Sequence, residues 1–297
     1  MMSNRVLATI AVGAFCVIRS WAAPHAEVVL LGTGTPGPDP TRSGPATVIA
    51  VDDRAYLVDF GPGVVRRASA AAARGARAVR PENLKVAFVT HLHSDHTAGY
   101  PDLIFTPWTV GRKDTLQVYG PRGLKDMTGH ILQAWKEDIA IRTHGLEHES
   151  PLTVAAHDVR PGLVFSDDVV KVTAFPVLHG DWKDAYGYRF DTPDRTIVIS
   201  GDARPSPGLI DACRHCDILI HEVYSPQSPA PMADWPAYRE KYHTSTSELA
   251  EIARRTQPGL LILYHRAGIP VSDEQYVSEI RQGWPGKVAV GHDLDVY

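Results

Sequence analysis

The feature that most constrains this chain is a dense cluster of metal-ligand side chains, His91-Leu92-His93-Ser94-Asp95-His96. The apolar run Leu84–Val89 precedes the cluster, and its β-branched and aromatic residues predict a buried strand. Side chains two residues apart on an extended segment point the same way, so His91 and His93 can address one point. After a turn, Asp95 and His96 can address a second point nearby. These nitrogen and oxygen donors indicate two metal ions, zinc first among them, whereas a polar surface loop is the alternative.

The first 23 residues have the layout of a secretory signal peptide. A basic start ending at Arg5 leads into an apolar run over residues 6–18, and small residues follow, with cleavage expected after Ala22 or Ala23. The apolar run is short for a bilayer span, so a retained anchor is only the alternative. We therefore expect a mature domain of residues 24–297, secreted or periplasmic, with no membrane attachment once the signal is removed.

The charge balance disfavours a nucleic-acid partner. The whole chain has a formal net charge of −4, and removal of Arg5 and Arg19 with the signal leaves about −6 (−4 − 2). Lysines and arginines are scattered rather than gathered into blocks, and binding a long polyanion depends on clustered basic charge. A small molecule is the expected partner, and a homodimer is compatible with the sequence.

Two cysteines remain outside the signal, Cys213 and Cys216. Their spacing fits a disulfide in an oxidising compartment, a redox pair, or two small apolar residues near a helix end. No second pair exists, so a four-cysteine zinc site is excluded.

The apolar periodicity predicts an α+β fold in which two sheets pack together with helices outside. Residues 141–161 are expected to form a loop with one short strand that covers the site. Histidines in this segment, His144, His148 and His157, are read as surface residues. The predicted strands are 28–31, 47–51, 55–60, 84–89, 116–119, 169–177, 185–190, 196–200, 218–220, 260–263 and 288–290. The predicted helices are 64–77, 99–105, 124–135, 206–214, 245–255 and 273–282.

Three more ligand-type residues stand directly after predicted strands: His179, Asp202 and His265. A strand end holds a side chain on a rigid scaffold while pointing it into a cleft, which suits a preorganised site. Each of these residues alone could equally be an ordinary turn residue. Together they supply the further metal ligands that the His91–His96 cluster lacks.

This combined pattern resembles the metallo-β-lactamase superfamily over essentially the whole mature chain. The resemblance implies a four-layer αββα sandwich with a dinuclear zinc site, with manganese or iron as alternatives at one position. It assigns His91, His93 and His179 to the first metal, Asp95, His96 and His265 to the second, and Asp202 to a bridge. A carboxylate at the bridging position departs from the true β-lactamases, so antibiotic hydrolysis is not the expected activity.

Finer motifs resemble the ribonuclease Z branch of that superfamily. Gly32-Thr33-Gly34-Thr35-Pro36 is similar to its opening loop, and the segment 96–103 to the stretch after its histidine cluster. His221-Glu222-Val223-Tyr224 and Tyr242-His243-Thr244-Ser245 match its later motifs, which implies that His243 acts on the scissile phosphate with Glu222 as its partner. The chain departs from the branch by its expected export and its lack of a basic, glycine-rich arm. Exported, arylsulfatase-like relatives are implied to act on small aryl sulfates and phosphodiesters.

The expected reaction is hydrolysis of a small phosphodiester or sulfate ester by a hydroxide activated between two zinc ions. Asp95 would orient that hydroxide or accept its proton, and His243 would donate to the substrate. The alternatives are a lactone or thioester hydrolase, a ribonuclease Z-type or secreted ribonuclease, and a non-catalytic metal-binding protein. Residues 141–161 and 226–236 are expected to shape the pocket, and the tryptophans that either line it or pack elsewhere are Trp108, Trp182 and Trp235.

Overall fold

Two β-sheets packed face to face form the centre of this computed structural model, which describes residues 25–144 and 151–297. Within those residues the first sheet has the strand order β1 to β6. Its strands are β1 Ala26–Gly32, β2 Ala46–Val51, β3 Arg54–Val58, β4 Leu84–Phe88, β5 Leu116–Gly120 and β6 Val154–Asp158. The pairs β1–β2 and β2–β3 are antiparallel, and β3 through β6 run parallel.

The second sheet has the order β13-β12-β11-β10-β9-β8-β7. Its strands are β7 Gly162–Ser166, β8 Lys171–Pro176, β9 Tyr186–Asp191, β10 Thr196–Ile199, β11 Ile218–Val223, β12 Leu260–Arg266 and β13 Val288–Val290. Strands β7 to β10 are antiparallel, and β10 to β13 are parallel.

Helices cover the outer faces of both sheets. Their bounds are α1 Val64–Ala73, α2 Ser94–Thr97, α3 Tyr100–Thr109, α4 Leu124–Ala134, α5 Lys136–His144, α6 Pro207–Ala212, α7 Trp235–Tyr242, α8 Thr246–Thr256 and α9 Asp273–Gly283, with short 3-10 turns at Arg77–Val79 and Pro81–Asn83. Helices α1, α3 and α4 pack on the first sheet, and α6, α8 and α9 pack on the second. No helix within the described ranges is long and apolar enough to cross a membrane.

Alternation along the strands explains this layering. In β1, Val28 and Leu30 face the core between the sheets, whereas Val29 and Leu31 face the helices. Side chains of a strand point alternately to its two faces, so a strand buried on both faces is apolar throughout. The result is a helix–sheet–sheet–helix sandwich, which confirms the predicted fold class.

Several element bounds differ from those expected. Helix α1 ends at Ala73 rather than at residue 77, because Gly75 with φ +116° turns the chain out of the helix. Residues 141–144, expected as loop, belong to α5, which an ion pair between Arg142 and Asp138 supports at 3.0 Å. Strand β7 and helix α7 were not predicted.

Residues 141–161 were expected to cover the site, and this prediction is wrong for the residues of the segment that the structure describes. None of residues 141–144 and 151–161 lines the cavity at the ligand cluster. His157 lies on β6, stacks on Tyr119 at 4.5 Å and contacts Gln117, and His144 is exposed. His148 and the expected signal peptide lie outside the described residues.

Cys213 and Cys216 are joined by a disulfide at the end of α6. Both are buried in the core between α6, α8 and the second sheet. Of the three alternatives left by the sequence, the structure therefore has the disulfide. Its burial fits a structural bond better than a redox-active pair, which needs access.

Candidate metal centre

The ligand-type residues meet at one edge of the two sheets, where several strands end. His91 and His93 lie between β4 and the short helix α2, and Asp95 and His96 lie within α2. The backbone N–H of Phe60 donates to the carbonyl of His96 at 3.0 Å, which anchors this turn to the loop after β3. A local segment with four ligands is thus fixed by the first sheet.

The second sheet supplies the other three ligand-type residues. His179 follows β8, Asp202 follows β10, and His265 lies at the end of β12 with φ +40°. A left-handed conformation is uncommon for a residue with a side chain and is often found at functional sites. The sequence pattern predicted a strand over 260–263 that ends before His265, whereas β12 continues through Arg266.

The first ligand group consists of His91, His93, His179 and Asp202, whose ligand atoms all lie within 4.8 Å of one another. His93 Nδ1 lies 2.9 Å from His91 Nε2 and 3.2 Å from His179 Nε2. Asp202 Oδ2 lies 4.0 Å from His179 Nε2. Three imidazoles and one carboxylate around one point match a four-coordinate zinc site in ligand type.

The second group consists of Asp95, His96 and His265, again within 4.8 Å of one another. Asp95 Oδ2 lies 3.2 Å from His265 Nε2 and 3.6 Å from His96 Nε2. The other oxygen of Asp202, Oδ1, lies 3.3 Å from His96 Nε2 and 3.5 Å from His265 Nδ1. Asp202 therefore stands between the groups, with one oxygen toward each.

Three buried atoms at this point lack a hydrogen-bond partner within the described residues: His96 Nε2, Asp202 Oδ1 and His265 Nδ1. A buried polar atom without a partner costs about 1–3 kcal/mol, so three together are unusual in a folded protein. Because the three converge on one another, a single cation would satisfy all of them. The residues present thus fit metal ions, and this nitrogen and carboxylate donor set suits zinc, manganese or iron.

The histidines of the first group are held neutral. Burial lowers the pKa of His91 well below its ordinary value, and burial also lowers the pKa of His93 and His179. A histidine must be deprotonated at the nitrogen that binds a metal, so this environment favours the ligating form.

At Asp202 and His96, where the two ligand groups meet, the pKa shifts favour the charged forms instead. Burial disfavours charge on Asp202, but His265 and His96 outweigh it and hold the pKa of the carboxyl well below its usual range. Burial likewise disfavours charge on His96, but Asp202 and Asp59 outweigh it and raise the pKa of this imidazole well above its usual value. The pocket therefore attracts positive charge at the point that His96 Nε2 faces, and a cation there would replace the proton.

Asp59 is a residue of the site that was not predicted from the sequence, since it lies within the predicted strand 55–60 and no role was assigned to it. Its carboxylate is buried, lies 2.8 Å from His96 Nδ1, and accepts hydrogen bonds from the backbone N–H and hydroxyl of Thr90. A carboxylate on the far nitrogen fixes the tautomer and orientation of a metal-binding histidine. The signal that could have found it is an acidic residue directly after a buried strand and before Gly61-Pro62-Gly63.

The histidines of the first group are oriented in a similar way. His91 Nδ1 lies 3.0 Å from the Thr90 hydroxyl, and His179 Nδ1 lies 2.8 Å from the Tyr242 carbonyl. Trp182 donates its indole N–H to His93 Nε2 at 2.9 Å, which places this tryptophan against the site. Trp108, in contrast, belongs to α3, is buried in the core on that side of the first sheet, and does not line the cavity at the ligand groups.

Two glycines permit close approach at the centre. Gly201 has φ +62°, and a Cβ there would lie 2.7 Å from the Cβ of Thr90. Gly180 has φ +53°, and a Cβ there would lie 1.8 Å from the ring of Tyr242. Both glycines neighbour a ligand residue, so larger side chains would displace Asp202 or His179.

His243 and Glu222 lie beside the ligand groups. His243 Nδ1 is 3.3 Å from Glu222 Oε1, which also accepts the backbone N–H groups of Thr244 and Ala203 at 3.1 and 3.2 Å. The His243 ring centroid is 5.6 Å from that of His179 and 6.3 Å from that of His265. Burial lowers the pKa of His243, and burial together with Asp202 raises the pKa of Glu222. The predicted pair therefore sits within reach of a substrate held at the ligand groups.

A cavity of about 410 Å³ opens onto the site. Its polar wall consists of His93, Asp95, Asp202, His243 and His265. Trp235, at the start of α7, and residues 35–37 of the first loop also line it. The arrangement can bind metal, place a substrate in the cavity and present His243 to it.

Comparison with known proteins is consistent with this geometry. The Beta-lactamase superfamily domain matches residues 54–266. A ribonuclease Z of Mycobacterium marinum is 31% identical over 278 residues, which cover 90% of this chain and 96% of that protein. A ribonuclease Z of Mycobacterium sp. (strain KMS) is 32% identical over 275 residues, which cover 90% of this chain and 94% of that protein.

Solved structures share the fold. The metallo-β-lactamase fold protein YhfI from Bacillus subtilis superposes with a TM-score of 0.69 at 20% identity, over 92% of this chain and 99% of that one. The short form of human tRNase Z superposes with a TM-score of 0.66 at 23% identity, over 91% of this chain and 98% of that one. The chain therefore belongs to the metallo-β-lactamase superfamily, as a homologue of the ribonuclease Z proteins.

Proposed function

We propose that this protein is a metal-dependent hydrolase that uses two divalent ions, zinc in the first instance, to cleave a phosphodiester or sulfate ester of a small molecule. The observation that carries the proposal is the position of Asp202, with one carboxylate oxygen toward each of two ligand groups. Two metals a few Å apart are typical of enzymes that hydrolyse phosphate esters. The curated relatives are named as ribonucleases, which break phosphodiester bonds, and this favours phosphorus as the reacting centre.

In this proposal His91, His93 and His179 hold the first ion, Asp95, His96 and His265 hold the second, and Asp202 is shared. When bound, such ions supply a nucleophile from water at neutral pH and neutralise charge that develops on the ester oxygens. The protein's own groups then position the substrate. Asp95, which lines the cavity and has its carboxylate against His265, is placed to accept a proton from the attacking water.

His243 is proposed to donate a proton or hydrogen bond to an ester oxygen. Glu222 holds its Nδ1, so Nε2 is free to face the cavity, and the two backbone N–H groups on Glu222 fix the carboxylate in place. A positioned acid of this kind contributes about 10²- to 10⁴-fold to the rate.

Ribonuclease Z-type cleavage of RNA is the second candidate, and the sequence identity to the mycobacterial relatives favours it. The charge of the cavity argues for the smaller substrate. Among the residues that the structure describes, no lysine or arginine lines the cavity, so it offers no side-chain partner for an RNA backbone.

Export is part of the same proposal, and it rests on the layout of residues 1–23. Cleavage after Ala22 or Ala23 would leave β1, which begins at Ala26, complete. The buried disulfide between Cys213 and Cys216 suits an oxidising compartment. A secreted or periplasmic enzyme would meet small esters rather than precursor RNA.

A substrate panel tests the proposal. Metal-loaded protein of residues 24–297 is assayed on an aryl phosphodiester, an aryl sulfate, a lactone, a thioester and a structured RNA. We expect turnover of the phosphodiester or sulfate, retained metal but a strongly reduced rate in His243→Ala, and no effect of the matched control His157→Ala. Faster cleavage of the RNA, with salt-dependent binding, would establish the second candidate instead. Turnover of only the lactone or thioester would refute both.

A further inference from the structure

Helix α7 brings a phenol group, that of Tyr238, to the cavity beside the metal centre. Tyr238 lines the same cavity as His93, Asp95, Asp202 and His243. Its ring centroid lies 5.7 Å from that of His243, with an angle of 52° between the two ring planes. Tyr238 is therefore within reach of a substrate that lies between His243 and the ligand groups.

Both faces of the Tyr238 ring are covered by neighbours on α7. Trp235, three residues earlier, stacks on the ring at 5.5 Å and 23°, and Tyr242, four residues later, stacks on it at 4.6 Å and 17°. Residues on the preceding and the following turn of a helix lie on opposite sides of a side chain. Trp235 is itself buried, and a Cβ on Gly268 would lie 2.5 Å from its ring, so no ligand can enter that side of the stack.

The exposed part of Tyr238 is its ring edge with the hydroxyl. The residue is 38% exposed although neighbouring rings cover both faces of its own ring. Burial raises the pKa of the hydroxyl, and the carboxylates of Asp202 and Asp95 raise it further. A carboxylate has this effect on a phenol only where the two groups lie close together, so the hydroxyl is on the side of the metal centre. The raised pKa also keeps the phenol protonated at neutral pH, which is the form that can donate.

The hydroxyl groups of Tyr238 and Tyr242 differ in their partners. Tyr242 donates its hydroxyl hydrogen to the exposed carboxylate of Asp181 at 2.9 Å. No other residue that the structure describes accepts a hydrogen bond from the Tyr238 hydroxyl. A donor that faces a polar cavity without a protein partner is available to a ligand bound there.

The lining of the cavity leaves a need for such a donor. Cleavage of a phosphate or sulfate ester builds negative charge on the oxygens of the reacting centre. None of the described cavity residues is a lysine or an arginine, so no cationic side chain stabilises this charge. Neutral hydrogen-bond donors can do so when they are held in place before the reaction, and the Tyr238 ring is held by its two stacked neighbours.

We propose that the Tyr238 hydroxyl is a catalytic hydrogen-bond donor to a non-bridging oxygen of the phosphate or sulfate ester. The inference rests on the proposed ester hydrolase function. It gives the two neighbouring residues different roles. His243 transfers a proton to the leaving alcohol, whereas Tyr238 keeps its proton and donates a hydrogen bond to an oxygen that stays on phosphorus or sulfur. This hydrogen bond strengthens as charge develops on that oxygen, so it accelerates the reaction.

Removal of the hydroxyl alone tests this role. Tyr238→Phe keeps the ring and its stacking, so folding and metal content should be unchanged. The substrates are methyl 4-nitrophenyl phosphate and methyl phenyl phosphate, or the corresponding aryl sulfates, because the two leaving phenols differ in acidity. We expect Tyr238→Phe to lower kcat of the metal-loaded protein by about 10²-fold with both substrates. His243→Ala should instead lose more with the phenyl ester, since the poorer leaving group needs the acid more.

Binding of inorganic phosphate gives a second readout that does not depend on turnover. Its oxygens can accept the same hydrogen bond as those of the ester. In titration calorimetry, metal-loaded Tyr238→Phe should bind phosphate about tenfold more weakly than the unsubstituted protein. The matched control is Tyr297→Phe, whose hydroxyl bonds Asp295 at the C-terminus and which should change neither phosphate affinity nor kcat. Unchanged phosphate affinity in Tyr238→Phe, or a loss of kcat confined to the phenyl ester, overturns the inference.

The failures of the two proposals are distinguishable. Ester turnover that Tyr238→Phe leaves intact overturns the role of the hydroxyl and keeps the hydrolase. Phosphate binding that depends on the Tyr238 hydroxyl, in a protein that turns over no phosphodiester or sulfate ester, overturns the proposed function and keeps the contact between this hydroxyl and an oxyanion.

Discussion

Replacing Asp59 with asparagine should weaken metal binding although no proposed ligand residue is replaced. The Asp59 side chain is 2% exposed, and its two carboxylate oxygens accept hydrogen bonds from Thr90 and His96. Asparagine has the same shape, and its amide oxygen can still accept the Thr90 N–H, a contact of 2.8 Å. The NH₂ group then takes the position of the oxygen that lies 2.8 Å from His96 Nδ1.

The asparagine NH₂ group and the N–H at His96 Nδ1 would then be two hydrogen-bond donors that face each other. His96 Nδ1 must donate if its Nε2 is to remain a free lone pair for a metal, and an amide NH₂ cannot accept. The imidazole can resolve the conflict by moving its proton to Nε2, which abolishes ligation, or by turning away. The loss of the carboxylate also removes one of the charges that raise the pKa of His96. Outer partners of this kind typically contribute 10- to 100-fold to metal affinity, which is about 1.4–2.7 kcal/mol.

The assay is competition with a graded series of chelators, with metal content measured after each step. We expect one of two bound ions to be lost at a chelator strength 10- to 100-fold lower in Asp59→Asn. Asp167→Asn is the matched control, because Asp167 bonds Tyr56 and nearby backbone at the opposite end of β3. Equal retention of both ions by Asp59→Asn and the unsubstituted protein would refute the role assigned to Asp59.

Three further predictions address packing, the centre and export. Phe88 is fully buried between the sheets and contacts the rings of Tyr188 and Phe190, so Phe88→Ala should lower the free energy of unfolding in urea by about 3–5 kcal/mol, and a loss below about 1 kcal/mol would contradict the packing described. Gly180→Ala should reduce metal content, whereas Gly129→Ala, where an added Cβ meets nothing within 4 Å, should leave metal content unchanged and slightly stabilise α4. N-terminal sequencing of the protein expressed with residues 1–23 should find a start at Ala23 or Pro24, and an intact Met1 with retention in the cytoplasm would contradict export.

The sequence predicted the sandwich because apolar alternation and ligand positions depend on local rules. A strand followed at once by a polar ligand residue is readable from the chain, as at His91 and Asp202. The helix predicted over 245–255 also begins by a local rule, because Ser245 and Glu248 form a capping box at the start of α8. These features needed no knowledge of distant contacts.

Other features depend on contacts that single-sequence patterns do not contain. Asp59 falls within the predicted strand 55–60, and only the fold brings it to His96, 37 positions further along the chain. Helix α7 has a proline at its second position, Pro236, and little apolar periodicity, so it did not resemble a helix. Trp235 and Tyr238 of this helix line the cavity together with His243, which is a long-range arrangement that the local sequence pattern does not contain.

The most direct test of the central claim is the metal content of the purified protein together with its activity, measured on the unsubstituted chain and on Asp202→Ala. Asp202 faces both ligand groups, so one substitution should remove bound metal and phosphodiester or sulfate ester turnover together. We predict close to two transition-metal ions per chain, at most one weakly held ion in the variant, and activity that a chelator abolishes and added zinc restores. A purified protein without transition metal, whose ester hydrolysis survives both the chelator and Asp202→Ala, would contradict the account.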